Sequence, residues 1–332
     1  MRVTLFDPAP ARGASWAAAG MLAPVTEAHY GEEEVLALNL ESASLYPAFV
    51  AELQDDTGMD VGYRDTGTLI VARDADDAAE LHRLHDFQRR LGLDVESLDS
   101  AGCRELVPGL SPRVGGGIFV AGDHQIDNRA LLEALAAACR DLGVVQVHDR
   151  VVDVTMSGPR ATGVTLASGA AIAGCCVVLS AGAGSASIEL PPEMRLDLRP
   201  VKGQLLHLRG DVPFAPCTVR GLDVYLVPRA DGRLVVGATM EELGLDMRRT
   251  AEAAFLLLRD AYELVPGVLD LELVEHTVGL RPATPDNAPL IGPSSVEGLV
   301  MATGHFRNGV LLAPVTADRI VAHVTSEVGT PA

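Results

Sequence analysis

Apolar residues along the chain fall into two patterns. Short apolar runs bounded by glycine, proline or aspartate predict strands, and apolar residues that recur every three or four positions predict amphipathic helices. The predicted strands are Val3–Phe6, Tyr63–Val71, Gly115–Val120, Val144–Val147, Val151–Val154, Thr162–Leu166, Cys175–Leu179, Tyr225–Val227, Leu234–Val236, Leu271–Val278, Leu290–Ile291 and Leu299–Ala302. The predicted helices are Ala14–Met21, Glu32–Leu53, Ala75–Leu91, Asn128–Leu142, Ala251–Leu264 and Val310–Val324.

Local signals sharpen several of these elements. Asp74 precedes a predicted helix and is a residue type that caps helix N-termini. The dipeptide Asp231-Gly232 predicts a tight hairpin between two of the strands. The face of the first long helix is predicted to carry Val35, Leu38, Ser42, Leu45, Phe49 and Leu53. Because helices and strands mingle throughout the chain, we expect an α/β fold with two interleaved domains.

Composition narrows the class of protein. The 332 residues are 48% hydrophobic, which suffices for a sizeable core and excludes intrinsic disorder. No run of about eighteen uncharged apolar residues occurs, so no membrane-spanning helix is expected. The net charge of −19 excludes a basic surface for nucleic acid or anionic lipid. Five cysteines without CxxC spacing and scattered histidines predict reduced thiols, no metal site and a cytoplasmic location.

The strand Val3–Phe6 ends in Asp7, and a carboxylate in that position can bind the ribose of a dinucleotide. Aspartate also ends strands for reasons of turn geometry, so this signal is weak by itself. The glycine-rich phosphate loop of such a fold should lie about 20 residues earlier, which is upstream of Met1. We therefore expect a functional protein roughly thirty residues longer at the N-terminus. In the present chain Val3–Phe6 should then pair along one edge only.

Two segments combine glycines with other features of ligand sites. Gly13–Pro24 is rich in alanine, which suits either the close approach of a flat ligand or tight packing of a helix on a sheet. Gly304–Gly309 lies between a predicted strand and a predicted helix, so the helix N-terminus can direct N–H groups at a ligand. Within it, Arg307 needs an anionic partner if the turn is buried and is solvated if the turn lies on the surface.

A tyrosine and an arginine are candidates for substrate binding. Arg281 ends an apolar strand, Tyr225 begins one arm of the hairpin, and Met240 follows the other arm. Arginine binds a carboxylate through two parallel hydrogen bonds, and a tyrosine hydroxyl can add a third. Taken alone, however, an arginine such as Arg281 is more often part of a structural salt bridge.

Together these segments resemble the FAD-dependent D-amino-acid oxidase family, and within it the bacterial glycine oxidases of thiamine biosynthesis. The segments that carry the resemblance are Ala14–Pro24, Tyr225–Arg229, Val236–Met240, Gly279–Pro282 and Gly304–Pro314. Their order and spacing match over nearly the whole chain. The chain departs from the family at the missing first strand and glycine-rich loop, and at Gly184, where the family often has tryptophan.

The resemblance implies noncovalent binding of FAD by particular residues. Asp7 would bind the ribose, and Val151 would contact the adenine. The residues that would line the flavin and its phosphates are Ala14, Ser15, Ala19, Gly20 and Met21. The residues that would surround the isoalloxazine edge are Gly304, His305, Phe306, Arg307, Asn308, Gly309, Val310 and Leu311.

The same resemblance assigns the substrate side. Arg281 and Tyr225 would bind the substrate carboxylate, Arg307 would add to that side, and Met240 with Met21 would border the pocket. The family's fold implies a Rossmann-like FAD-binding domain interleaved with an α+β substrate domain built on an antiparallel sheet. The first domain would comprise residues 1–45, 124–199 and 280–332, and the second would comprise residues 46–123 and 200–279.

The implied reaction is oxidation of glycine, or of other small amines or D-amino acids, to an imino acid. Oxygen would then be reduced to hydrogen peroxide, and the imine of glycine would supply the thiazole ring of thiamine. A homo-oligomer without nucleic-acid or membrane partners is expected. Two alternatives remain open: a D-amino-acid or sarcosine-type oxidase or dehydrogenase of the same fold, and a cofactor-free remnant that has lost its first strand.

Overall fold

A computed structural model describes residues 1–10, 12–191, 194 and 196–328. The strands are β1 Thr4–Phe6, β2 Met21–Leu22, β3 Thr68–Ala72, β4 Glu96–Asp99, β5 Gly116–Val120, β6 His124–Gln125, β7 Val145–Val147, β8 Val151–Ser157, β9 Arg160–Leu166, β10 Ala171–Ala173, β11 Val177–Leu179, β12 Arg199–Arg209, β13 Thr218–Arg220, β14 Tyr225–Pro228, β15 Arg233–Gly237, β16 Glu272–Ala283, β17 Leu290–Pro293 and β18 Leu299–Thr303. The helices are α1 Ala14–Ala17, α2 Glu33–Thr57, α3 Ala75–Arg90, α4 Ser100–Leu106, α5 Asn128–Asp141, α6 Ala251–Leu264 and α7 Ala313–Val328.

An eight-stranded sheet forms the largest layer, in the order β16-β12-β15-β14-β13-β3-β5-β4. Its strands pair antiparallel except for β13 and β3, which run parallel. Side chains alternate between the two faces of a strand, and here both faces are buried. Leu206 and Leu234 belong to the core cluster that contains Leu257 of α6, whereas Leu205 and Val235 belong to a second cluster. The second face therefore packs in a different apolar core from the one that contains α6.

Smaller sheets complete the α/β architecture. β1 pairs parallel with β7, and β11 pairs parallel with β18, which also pairs with β17. Among the described residues β1 pairs with another strand along one edge only, as expected. Leu5 on this strand is 41% exposed. β11 runs into the 3-10 helix Gly182–Ser187.

The helical predictions were confirmed in part. α6 has the predicted bounds, and Asp74 accepts hydrogen bonds from the N–H groups of Asp76 and Asp77 at the start of α3. In α2, however, Leu38, Leu45 and Phe49 are only half-buried, and the residues that point inward are Val35, Leu36, Asn39, Ser42, Tyr46, Val50 and Leu53. α2 turns this face inward because it packs against α5 and α7.

Other predicted bounds were wrong for local reasons. The first predicted helix stops at Ala17, since Ala18 is extended and Gly20 adopts a left-handed conformation with φ 72°. The strand predicted to start at Tyr63 begins at Thr68, after the left-handed Gly67. The last helix begins at Ala313, because residues 309–312 form turns after the 3-10 helix Phe306–Asn308. Among the described residues no helix is both long and apolar enough to cross a bilayer.

The cap of α3 provides a test of these local signals. Replacing Asp74 with alanine leaves two N–H groups of the first turn without their acceptor, so we expect a loss of about 1 kcal/mol in the free energy of unfolding. Urea unfolding of the parent and the variant measures this loss. Asp74→Ser, which restores a capping oxygen, should recover most of it, and equal stability of all three proteins would contradict the assignment.

Candidate active site

Tyr225 and Arg281 converge on one face of the large sheet from two different strands. Tyr225 on β14 stands opposite Gly237 on β15, which in turn stands opposite Leu205 on β12. Arg281 on β16 stands opposite Val201 on β12. Directly opposed residues share a face, so both side chains lie on the Leu205 side, away from α6. The sheet thereby brings together two residues that are far apart in the sequence.

Arg281 is half-buried, yet its charge has no counterion among the described residues. Its Nη1 donates to the carbonyl oxygen of Thr239 at 3.2 Å, and no carboxylate of the described residues forms an ion pair with it. Burial raises the pKa of the Tyr225 phenol, while the adjacent Arg281 charge acts in the opposite direction. The phenol therefore keeps its proton near neutral pH and can donate a hydrogen bond beside the Arg281 guanidinium.

Arg307, in contrast, is held between two carboxylates of the same chain. Its Nη2 bonds to Glu32, and its Nε lies 3.3 Å from Glu27 Oε2. Glu27 also pairs with Arg220 at 2.5 Å. Burial alone raises the pKa of Glu27, but the charges of Arg220 and Arg307 outweigh it and hold that pKa below its ordinary value. Of the two arginines predicted for the substrate, Arg281 is thus the one whose charge is available.

The alanine-rich segment before β2 is fixed by side chains from outside it. Asn128 Nδ2 donates to the carbonyl oxygens of Ser15 and Trp16 at 2.7 and 3.0 Å. The buried Arg229 donates to the carbonyl oxygen of Ala19 at 2.6 Å, and burial lowers its pKa to about 10. These bonds satisfy carbonyl groups that α1 leaves unpaired, and they hold the segment in a single path.

The same segment lies against the sheet face that carries Tyr225 and Arg281. Ala19 and Met21 share an apolar cluster with Tyr225. A Cβ placed on Gly279, two residues before Arg281, would lie 2.9 Å from the Cβ of Ala17. The predicted flavin-lining residues Ala14, Ser15, Ala19, Gly20 and Met21 are therefore close to the strand that carries Arg281.

The segment Gly304–Leu311 approaches the site from its other side. His305 forms a β-bridge with Ala283, and Phe306 packs on Val201 and Ala283. Behind the segment, the hydroxyl of Ser42 donates to the carbonyl oxygen of Leu311 at 2.7 Å, and the hydroxyl of Tyr46 donates to that of Val310 at 2.6 Å. Since α2 binds these carbonyl oxygens from behind, it fixes the turn that leads into α7.

Three predicted site residues stand apart from this arrangement. Asp7 Oδ1 accepts a bond from the N–H of Ala9 at 2.9 Å, and Val151 begins β8. Met240 is 66% exposed, in the loop between β15 and α6. Their roles stay predictions. Within the described residues no group of three metal-ligating side chains occurs.

Five residues that the sequence did not point to organise the site. They are Glu27, Glu32, Asn128, Arg220 and Arg229. A charged residue inside an otherwise apolar stretch was the available signal, as for Arg229 immediately after the buried strand β14 and for Glu27 after the buried residues 22–26. Their partners could not be found in this way, because Arg307 and Glu32 are 275 positions apart.

Comparisons with known proteins agree with this geometry. Residues 1–323 match the DAO family, described as FAD dependent oxidoreductase. A glycine oxidase of Pseudomonas aeruginosa is 33% identical over 330 residues, which cover 98% of this chain and 88% of that protein. The bifunctional protein ThiO/ThiG of Trichormus variabilis is 34% identical over 96% of this chain and 48% of its own length. A crystal structure of glycine oxidase from Geobacillus kaustophilus has a TM-score of 0.91 and 32% identity, covering 98% of this chain and 88% of that one.

The chain therefore belongs to the FAD-dependent oxidoreductases of the D-amino-acid oxidase family. More particularly, it is an FAD-dependent amino-acid oxidoreductase similar to glycine oxidases. The predicted family, fold class and cofactor are thus confirmed.

The described residues fit part of FAD. Asp7 lies at the carboxyl end of a parallel strand with its Oδ2 free of hydrogen bonds from the described residues, which suits the donor hydroxyls of a ribose. The small side chains before β2 and the turn before α7 flank the face that carries Tyr225 and Arg281. A GxGxxG turn for the pyrophosphate is absent from the described residues.

The turn before α7 also gives a pH-dependent test. Burial lowers the pKa of His305 to about 4, and its Nε2 lies 2.9 Å from the Thr316 hydroxyl. Between the ordinary value of 6.5 and that pKa, the unfolded chain binds more protons than the folded one. The stabilisation is therefore complete above pH 6.5 and is lost as the pH falls toward 4, by up to about 3 kcal/mol at about 1.4 kcal/mol per unit.

His305→Gln should reduce this loss in urea unfolding compared at about pH 7 and about pH 4.5. Burial likewise lowers the pKa of His207 to about 4, so His207→Gln is a matched variant that should remove its own share. An unchanged pH dependence in His305→Gln would contradict the assignment.

Proposed function

We propose that this protein oxidises glycine to its imino acid and reduces oxygen to hydrogen peroxide, and that the imine supplies the thiazole ring of thiamine. The observation that carries the proposal is the half-buried Arg281 guanidinium, which faces the site beside a protonated Tyr225 and lacks an internal carboxylate among the described residues. The glycine oxidase relatives support the choice of amino acid.

The mechanism begins with the substrate carboxylate. Arg281 binds it through two charge-assisted hydrogen bonds, and the Tyr225 hydroxyl donates a further one. These bonds orient the amino acid so that its α-hydrogen points at the flavin, and such orientation supplies much of the acceleration. When bound, FAD would supply the redox chemistry of the reaction, taking up the hydride of the α-carbon with oxygen as the final electron acceptor.

The protein's contribution is binding and orientation. The Ala14–Met21 segment and the turn Gly304–Leu311 would hold the flavin on either side, with Asp7 on the ribose and Val151 at the adenine. The N-terminus of α7 favours negative charge close to it. Arg307 keeps its two carboxylates and thereby fixes the turn, and Met240 borders the entrance.

The proposal divides the chain into two interleaved domains. The FAD-binding domain comprises residues 1–45, 124–199 and 280–332, and the substrate domain comprises residues 46–123 and 200–279. The large sheet supports this division, because its strands lie in the second set apart from Arg199 at the start of β12 and the last residues of β16. Arg281 belongs to those last residues, so the substrate arginine stands where the two domains meet.

Arg281 and Tyr225 provide the test of the carboxylate site. Arg281→Ala should lower kcat/KM for glycine by roughly two to four decades, because a charge-assisted bidentate bond worth about 3–5 kcal/mol is lost. Tyr225→Phe should cost about one to two decades, since one neutral donor is removed. Arg209→Ala, at the exposed end of β12, is the matched control and should be unchanged.

Steady-state kinetics and a thermal melt on the FAD-loaded protein separate the two interpretations of Arg281. A lower melting temperature with intact glycine turnover would show that Arg281 is structural, and would contradict the proposal. A panel of sarcosine and small D-amino acids in the same assay measures the substrate range.

Cofactor attachment has its own test. The cysteines Cys103, Cys139, Cys175, Cys176 and Cys217 lie outside the turn 304–311, so no thiol is placed in it to form a flavin thioether. We expect full-length protein to purify yellow and acid denaturation to release all of its FAD. Colour retained in the protein pellet would contradict noncovalent binding, and full-length protein free of flavin would contradict the proposed function.

A further inference from the structure

Two glycines lie on the adjacent strands β12 and β15, which separate the strands that carry Arg281 and Tyr225. Gly203 is on β12 and Gly237 is on β15, and neither has the positive φ that requires glycine. Within a strand, glycine is less favourable than alanine because its chain is more flexible and it has no side chain to pack. Since the value of φ does not require glycine at these two positions, we expect another group to occupy the space that a side chain would fill.

The structure identifies those groups. A Cβ built on Gly203 would lie 2.5 Å from both Nη atoms of Arg281, and a Cβ built on Gly237 would lie 2.6 Å from the hydroxyl oxygen of Tyr225. Arg281 therefore reaches inward from β16 across the bare backbone of β12, and Tyr225 reaches inward from β14 across that of β15. The side chains of Arg281 and Tyr225 thus extend from β16 and β14 over the two strands between them, β12 and β15.

On β12 and β15 this face has no other glycine. Along the same face of β12, the residue before Gly203 is Val201 and the one after it is Leu205, and both are buried. On β15, Val235 precedes Gly237 on that face and is buried as well. On these two strands the row of apolar side chains is therefore interrupted only where Arg281 and Tyr225 lie.

We infer that Gly203 and Gly237 are positioning residues that set the height and spacing at which Arg281 and Tyr225 meet the substrate carboxylate. The inference rests on the proposed function. An alanine methyl at position 203 would raise the guanidinium by roughly 1 Å to reach ordinary contact, and a displacement of about that size in a positioned group can cost about a hundredfold in rate. The backbone conformation at this position is one that alanine also adopts.

The central experiment is a double-mutant cycle in the FAD-loaded protein. Gly203→Ala should lower kcat/KM for glycine by roughly ten- to a hundredfold, with an increase in KM and an unchanged flavin spectrum. In the Arg281→Ala background the same change should cost nothing further, because the side chain it displaces is absent. Gly122→Ala, whose Cβ would have no neighbour within 4 Å and whose φ is not left-handed, is the matched control and should be unchanged.

Stability gives a second readout that a merely structural glycine would not produce. With Arg281→Ala in place, Gly203→Ala should raise the melting temperature, because the methyl group fills vacated space and alanine is favoured over glycine in a strand. The double variant must therefore fold even if the single one does not. Gly237→Ala should likewise lose its effect on kcat/KM in a Tyr225→Leu background.

The outcomes separate this inference from the proposed function. If Arg281→Ala retains glycine turnover, the proposed function fails whatever the glycine variants do. If Arg281→Ala is inactive but Gly203→Ala turns over glycine like the parent, the inference is overturned and the function stands. An equal further loss from Gly203→Ala in the Arg281→Ala background, or a double variant that does not fold, would also overturn it.

Discussion

An arginine removed from water must find an anion or enough acceptors for its five N–H groups, and the site is organised by how its arginines meet that requirement. Arg220 and Arg307 share the carboxylate of Glu27, and Arg307 also binds Glu32. Arg229 donates hydrogen bonds to oxygen acceptors such as the carbonyl of Ala19, and burial lowers its pKa. Arg281 is the exception, because among the described residues it has neither a carboxylate partner nor the three oxygen acceptors that Arg229 has. In the proposed function, Arg281 is therefore the arginine that binds the substrate carboxylate.

The sheet makes that exception possible. Because both faces of β12 and β15 are buried, one face can be committed to the α6 core while the other carries the site. The antiparallel register places Arg281 on β16 and Tyr225 on β14, and their side chains extend toward each other over β12 and β15. Helix α2 supports the arrangement from behind through Ser42 and Tyr46, which bind the carbonyl groups of the turn that packs on Val201. The turn before α7 and the sheet face that carries Arg281 are thus held together by hydrogen bonds to the backbone as well as by packing.

The sequence was most informative where structure depends on neighbouring residues. The Asp74 cap, the hairpin at Asp231-Gly232 and the bounds of α6 follow from local rules of hydrogen bonding and periodicity, and all three were confirmed. The buried face of α2 was shifted, because its packing partners come from distant parts of the chain. Residues 18–21 leave the predicted helix, because Arg229 and Asn128 bind the carbonyl groups around them.

For the site, residue types were easier to predict than their pairings. Motif resemblance placed Arg281, Tyr225 and the turn around His305 in one region, and the structure brings these together. It could not show that Arg307 is neutralised by Glu27 and Glu32, since an ion pair between distant segments leaves no periodic trace in the sequence. Which arginine remains free for a substrate is a property of the folded chain.

The most direct measurement is a crystal structure of the FAD-loaded protein with a small carboxylate such as acetate bound at the site. The account predicts the carboxylate on the Arg281 guanidinium through two hydrogen bonds of about 2.8 Å, with the Tyr225 hydroxyl as a third donor and the pairs of Arg307 with Glu27 and Glu32 intact. A carboxylate bound to Arg307 in place of Glu27 or Glu32, with Arg281 turned to an internal acid, would contradict it.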